Sequence, residues 1–140
     1  MMGGIKMLKI LIAEDDAVSS IIIKKFLSPY GECDVAYNGQ VAIDKFKEKI
    51  EAGETYDIIL LDVMMPRKTG LEALKEIRKI ENKKKKLSIK TSKILMLTAL
   101  NDNETIRKAL ENGCDSYFTK PIKKDKILMA LERLKLIELE

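Results

Sequence analysis

The stretch YDIILLDVMM, Tyr56 to Met65, decides the fold. Four consecutive apolar residues, Ile58 to Leu61, lead into one carboxylate, Asp62. A short continuous apolar run bounded by polar residues predicts a strand buried on both faces, as in a parallel sheet. Working outward, the same signature recurs at MLKILIA (7–13), CDVAY (33–37), KILMLTA (93–99) and SYFT (116–119). Between these runs the apolar spacing lengthens to that of helices. Val18, Ile22 and Phe26 recur every fourth residue, and the run Ile21 to Ile23 reads as helix core, until SPYG (28–31) stops the pattern. Val41, Ile43, Phe46 and Ile50 predict a second helix ended by Gly53, and Leu71, Leu74, Ile77 and Arg78 a third, capped by Thr69. NDNETIRKALENG ends at Gly113, and a final helix is expected over 123–140, with Ile127, Leu128, Leu131, Leu134 and Ile137 apolar. Alternating strands and helices argue for a doubly wound parallel α/β sheet, helices covering both faces.

Composition narrows the function classes. The chain has 140 residues, enough for a single domain, read here as 1–140, with residues 1–6 as a disordered start or cloning scar. No apolar stretch is long enough for a bilayer, and no secretory leader is recognisable. Cys33 and Cys114 lack metal-ligand spacing, so a reducing cytoplasm is the expected setting. The net charge is a mild +4, and the basic stretch Lys83 to Lys93 has no aromatic interleaved for base stacking, so nucleic acid is not an expected partner. There is no histidine, which removes the usual general base and the commonest metal ligand. The chemistry must rest on carboxylates, hydroxyls, lysines and the backbone.

In an open parallel sheet, ligands bind beyond the carboxyl ends of the strands. Those ends carry Glu14, Asp15 and Asp16 after the first strand, Asp62 after the third, Thr98 and Ala99 after the fourth, and Thr119, Lys120 and Pro121 after the fifth. Clustered carboxylates repel unless a cation neutralises them, and an all-oxygen set suits Mg2+, with Mn2+ as a substitute. Mg2+ keeps few protein ligands and completes its shell with water or phosphate oxygens, so the cluster reads as half a site awaiting a phosphoryl group. Lys120 and Thr98 would then supply a charge and a hydroxyl to the phosphoryl oxygens.

The segments ILIAEDD (10–16), DIILLDVMMPRKTG (57–70), ILMLTA (94–99) and YFTKP (117–121) together closely resemble the receiver domain of response regulators, the family that includes CheY. The resemblance implies a five-stranded sheet in the order 2-1-3-4-5. It implies that Asp62 accepts a phosphoryl group from a sensor histidine kinase or a histidine phosphotransfer protein. It also implies that Glu14, Asp15, Asp62 and the backbone carbonyl of Met64 hold Mg2+, and that Thr98 and Lys120 bind the phosphoryl oxygens. Thr98 and Tyr117 would form the switch, displacing the surface of the fourth helix, fifth strand and fifth helix to control a downstream target protein or a phosphorylation-dependent homodimer in place of the monomer. The Lys120–Pro121 peptide is expected to be cis.

Three departures qualify the resemblance. Arg67, Lys68 and Thr69 make the loop after Asp62 basic where an acid is usual. Glu14 stands for the commoner aspartate. Met64 and Leu100, with Ala99, flank the phosphoryl position and are apolar, so slow self-dephosphorylation is expected. No output region follows the last helix here, which suggests output through protein–protein contact. A receiver cut from a longer response regulator or hybrid kinase is the first alternative. A Mg2+-dependent phosphatase or nuclease of the haloacid-dehalogenase or Toprim type is another, although neither Asp-x-Asp signature is present at the required strand end. A phosphorylation-independent scaffold would have no need of the five polar residues together.

Overall fold

The computed structural model describes residues 7–84, 90–99 and 103–139. Strands β1 (Leu8–Ala13), β2 (Gly31–Ala36), β3 (Ile58–Asp62), β4 (Lys93–Thr98) and β5 (Ser116–Thr119) form one sheet in the order β2-β1-β3-β4-β5. Every neighbouring pair is parallel. Helices α1 (Ala17–Leu27), α2 (Gly39–Glu51), α3 (Gly70–Lys83), α4 (Asn103–Glu111) and α5 (Lys124–Arg133) alternate with the strands.

Strand parity assigns the layers, because successive side chains point to opposite faces. Ile10, Ile12, Ile58, Leu60, Leu95 and Leu97 pack with Ile23 and Leu27 of α1 and Ile127 and Leu131 of α5. Leu11, Ala13, Ile59, Leu61, Ile94 and Met96 pack on the other face with α2, α3 and Ala109 of α4. Ile58 to Leu61 are each 0% exposed, and full burial of such side chains is worth about 1.5–3 kcal/mol apiece. The edge strands β2 and β5 instead alternate between sheltered and more exposed residues. The interior strands β1, β3 and β4 are therefore the firmest platform for a group that must be held still.

The opposite, amino-terminal edge of the sheet is closed by Arg78. Its guanidinium donates to Glu81 (2.6 Å), to the carbonyls of Ser92 (2.8 Å) and Gly113 (2.9 Å), and to Asp115 (2.9 Å). Glu81, only 6% exposed, in turn accepts the Ser92 amide. This network ties α3 to the start of β4 and the end of α4. Four of the guanidinium's five N–H donors are used within the fold, so it reads as a clamp rather than a ligand site.

The structure corrects several sequence expectations. The inward face of α1 carries Ser20, Ile23 and Leu27, whereas Val18 and Ile22, together with Ile21, are exposed. Ser20 tolerates burial because its hydroxyl donates to the Ala17 carbonyl within the helix, which frees the apolar neighbours to face outward. The last helix ends at Arg133 instead of running to residue 140; Lys135 takes φ 62°, and Leu136 and Ile137 still pack partly buried against the sheet. Apolar spacing continued there because the tail keeps packing, not because it stays helical. The third strand is shorter than its apolar run, since the chain leaves the sheet at Val63 to form a turn closed by Gly70 N to Val63 O. The second strand starts earlier, at Gly31, whose lack of a side chain lets it lie against the Leu8 backbone. The expected start over residues 1–6, Leu100, and residues 85–89 of the basic connection lie outside the described residues. Among the described residues, no helix is long and apolar enough to cross a membrane.

Candidate functional site

The carboxyl edge of the sheet gathers the charged groups. Pairing of Ala13 with Leu61 puts the residues following β1 beside the end of β3, and pairing of Asp62 with Leu97 puts Thr98 one step beyond. Carboxylate oxygens of Glu14, Asp15 and Asp62 lie within 4.8 Å of one another. Glu14 is 0% exposed and Asp62 3%, while Asp15 is exposed. The Lys120 ammonium enters from the loop after β5, 2.7 Å from Asp62 Oδ2 and 2.7 Å from Glu14 Oε2. Lys120 is placed by its own amide, which donates to the Thr98 carbonyl at 2.8 Å, and it precedes a cis peptide to Pro121.

Local sequence explains each position. Asp62 terminates the buried strand, and its Oδ1 accepts the Met64 amide at 3.1 Å. Glu14 Oε1 accepts the Asp16 amide at 3.1 Å. Asp16 is the N-cap of α1, accepting from Ser19 N at 3.1 Å, so it serves the helix and not the acid cluster. The Ser19 hydroxyl donates to the same oxygen at 2.5 Å, and with the amide it holds the Asp16 carboxyl below its usual range.

Burial dominates at Glu14 and pushes its carboxyl up to about 7, with Lys120 and the Asp16 amide pulling the other way and Asp62 adding to the rise. For Lys120, burial works against its charge, but Asp62 and Glu14 outweigh it and raise its pKa. One ammonium thus stabilises two buried carboxylates. Glu14 Oε2 is at ion-pair distance from it yet makes no aligned hydrogen bond. An inward-facing, incompletely satisfied oxygen beside two further carboxylates, with no nitrogen or sulfur ligand in the cluster, fits a hard divalent cation.

The remaining expected residues fall around this centre. Thr98 is buried at the end of β4. Ala99 is exposed beyond it, and Leu100 lies outside the described residues. Met64 projects its side chain to solvent, 58% exposed, while Met65 is buried in the α2/α3 layer. Tyr117, in β5, is 40% exposed.

Two features were not anticipated. A groove of about 300 Å3, lined by Ser19, Ile22, Ile23, Leu97, Lys120, Pro121 and Ile122, takes in Lys120 of the charged centre and Ile22 of the exposed apolar residues of α1. Val18 and Ile21 lie exposed on the same helix, and the spacing i, i+3, i+4 of Val18, Ile21 and Ile22 reads equally well as a core face, so sequence alone does not separate the two. Gly39 and Gly70, each following a helix-capping residue, carry backbone approaches that no spacing pattern reveals.

This arrangement sets three carboxylates and a lysine together at the carboxyl edge of a five-stranded parallel sheet of the doubly wound class. A family profile described as the response regulator receiver domain matches residues 10–132, and the chain belongs to that family. It is 39% identical over 121 residues to the osmosensing histidine protein kinase SLN1 of Saccharomyces cerevisiae, covering 85% of this chain and 9% of that protein. It is 35% identical over 130 residues to the probable C4-dicarboxylate response regulator DctR of Bacillus subtilis, covering 91% of this chain and 52% of that one. The chain therefore spans from under a tenth to about half the length of these curated relatives. Among solved structures, the receiver domain of Ssk1 from Saccharomyces cerevisiae, co-crystallised with the histidine phosphotransfer protein Ypd1, matches with TM-score 0.80 and 29% identity over 96% of this chain and 95% of that one. CheY in the CheX–CheY–BeF3–Mg2+ complex of Borrelia burgdorferi shares the fold, with TM-score 0.79 and 21% identity over 94% of this chain and 90% of that one.

Proposed function

We propose that this receiver domain takes one phosphoryl group on Asp62 from a phosphohistidine donor and acts as a switch rather than a turnover enzyme. The observation that carries the proposal is the cluster of Glu14, Asp15 and Asp62 oxygens within 4.8 Å, with Lys120 Nζ 2.7 Å from Asp62. An oxygen of Asp62 attacks phosphorus in line; the P–N bond to the donor imidazole breaks, and that nitrogen keeps the electron pair and takes up a proton. Glu14, Asp15, Asp62 and the Met64 carbonyl would hold Mg2+, which when bound neutralises charge on the transferring phosphoryl. The hydrogen bond from the Met64 amide orients the Asp62 carboxylate, and rigid burial of β3 keeps it aimed. Lys120 exchanges its contact with Asp62 for one with a phosphoryl oxygen, and the Thr98 hydroxyl donates to another.

The incoming donor would rest on α1. Val18, Ile21 and Ile22 are 64%, 57% and 42% exposed, and the groove that Ile22 lines reaches Lys120 itself. Exposed apolar residues that adjoin a reaction centre mark an interaction surface. A kinase or phosphotransfer protein seated there would bring its phosphohistidine over Asp62. On the outgoing side, movement of Thr98 would bias Tyr117 and the α4–β5–α5 face toward a target protein or a second copy.

The test is intact mass measurement after incubation with Mg2+ and acetyl phosphate, wild type beside Asp62→Asn. One base-labile phosphoryl group on wild type alone is the expected result. Label persisting in the variant would move the chemistry elsewhere. Continued release of phosphate far beyond one equivalent per chain would favour the phosphatase reading.

A further inference from the structure

The loop between β3 and α3 is held from outside as well as from its own ends. Its start is fixed by Val63 N to Leu97 O at 2.8 Å, and its end by Gly70 N to Val63 O at 2.9 Å. At the apex, Lys68 N donates to Pro66 O at 2.8 Å across Arg67, which sits at φ 69°. A non-glycine residue in that left-handed region is strained and persists only where its surroundings over-determine it.

The surroundings are two glycines. A Cβ on Gly70 would come 2.8 Å from the carbonyl carbon of Asp62. A Cβ on Gly39, first residue of α2, would come 2.6 Å from the carbonyl carbon and 2.8 Å from the Cβ of Lys68. The obstruction is backbone, so a side chain at Gly39 cannot be accommodated by a rotamer change. Gly39 has no positive φ, and α2 begins normally from its Asn38 cap, whose Oδ1 accepts Val41 N at 2.8 Å. Helix geometry thus makes no demand for glycine there; the close approach to Lys68 does.

We propose that Gly39 is a positioning residue for the phosphoryl-transfer centre, acting through the Lys68 carbonyl to fix the loop that carries Met64. This rests on the reading of Glu14, Asp15, Asp62 and the Met64 carbonyl as the Mg2+ site. The loop links the two places directly: Met64 N bonds Asp62 Oδ1, Met65 is buried 23 residues after Ala42 in the same apolar layer, and Lys68 lies under Gly39. The amino end of α2 contributes no side chain to the reaction, yet it determines where the loop backbone can sit. Supporting groups of this kind alter metal affinity by about 10–100-fold when displaced.

Gly39→Ala in the full chain tests this. Alanine suits a helix, so α2 should persist while the loop is pushed away. Mg2+ affinity, read by isothermal titration calorimetry, is expected to weaken tenfold or more, and phosphorylation by acetyl phosphate to slow even at saturating Mg2+. Gly31→Ala is the matched control: its Cβ would meet the Leu8 carbonyl carbon at 2.7 Å, a comparable backbone collision at the opposite edge of the sheet. That variant should lose stability with Mg2+ affinity unchanged. Arg67→Pro probes the contact from the loop side, because proline forces φ to about −65° and shifts the Lys68 carbonyl without touching α2. It should weaken Mg2+ binding as Gly39→Ala does, and it answers the question if Gly39→Ala fails to fold. Wild-type Mg2+ affinity in both Gly39→Ala and Arg67→Pro, or equal weakening in Gly31→Ala, overturns the proposal. No Mg2+ binding by wild type would overturn the site reading along with it.

Discussion

Lys120 Nζ stands 2.7 Å from Asp62 Oδ2, although 58 residues separate the two in sequence. The same ammonium lies 2.7 Å from Glu14, so it occupies the place between two buried carboxylates that a cation must neutralise. Lys120→Met leaves those carboxylates uncompensated. In the absence of Mg2+ it should lower stability by about 1–3 kcal/mol, less than for a fully buried pair because the lysine is partly exposed. Urea denaturation with and without Mg2+ checks this, and Mg2+ should restore more stability to the variant than it adds to wild type.

Asp15 is the exposed member of the acid cluster and makes no packing contribution to the core. Asp15→Asn should therefore leave the metal-free melting temperature within a degree or two of wild type, as surface changes of under about 0.5 kcal/mol do. Mg2+ at about 100 times its dissociation constant should stabilise wild type by roughly 2.7 kcal/mol. That increment should disappear in the variant, as followed by thermal melts across a Mg2+ series.

The two sides of α1 should separate stability from partner recognition. Ile23 is 1% exposed and packs in the α1/α5 layer, so Ile23→Ala should cost about 2–5 kcal/mol. Ile21→Glu, on the outward side where Ile21 is 57% exposed, should change stability by less than about 0.5 kcal/mol. It should nevertheless slow transfer from a phosphohistidine protein while leaving labelling by acetyl phosphate intact. Equal slowing with both donors would count against a docking role for this face.

The start of α3 offers a pH test. Thr69 Oγ1 accepts Glu72 N at 3.2 Å, and Glu72 Oε1 accepts Thr69 N at 3.0 Å, a reciprocal capping box. Donation by the Thr69 amide, with the Thr69 hydroxyl second, holds the Glu72 carboxyl below its ordinary value of 4.5. The folded value lies below the unfolded one, so the stabilisation is present above pH 4.5 and declines as pH falls through the folded value. Glu72→Gln should flatten the acid limb of a stability-against-pH curve relative to wild type. Thr69→Ala should cost about 1 kcal/mol at neutral pH.

Much of the centre was legible because it lies at strand ends. Asp62 closes an apolar run, and Lys120 follows a short strand before proline; parallel topology then brings their edges together. The outward face of α1 was misread because three successive isoleucines satisfy more than one helical phase, and only the buried Ser20 settles which one the sheet selects. The length of the last helix was overestimated for a related reason, as Leu136 and Ile137 bury themselves without helical geometry. Gly39 could not be recognised at all. Its significance is an interatomic distance to a residue 29 positions away, and a glycine after a cap residue looks like any helix start.

The Arg78 clamp has a consequence for how such a domain can be elaborated. Parallel strands return every helix-to-strand connection to the amino edge, where Arg78 already joins α3, β4 and the end of α4. Lys84, where the chain leaves α3, and Ser92, which Arg78 and Glu81 hold just before β4, lie at that edge, with the length of the buried strands between them and Asp62. The molecule thus has an editable pole and a reactive one. A reporter or a second module spliced between Lys84 and Ser92 would be carried by a locked corner, leaving the phosphoryl chemistry and its docking face untouched.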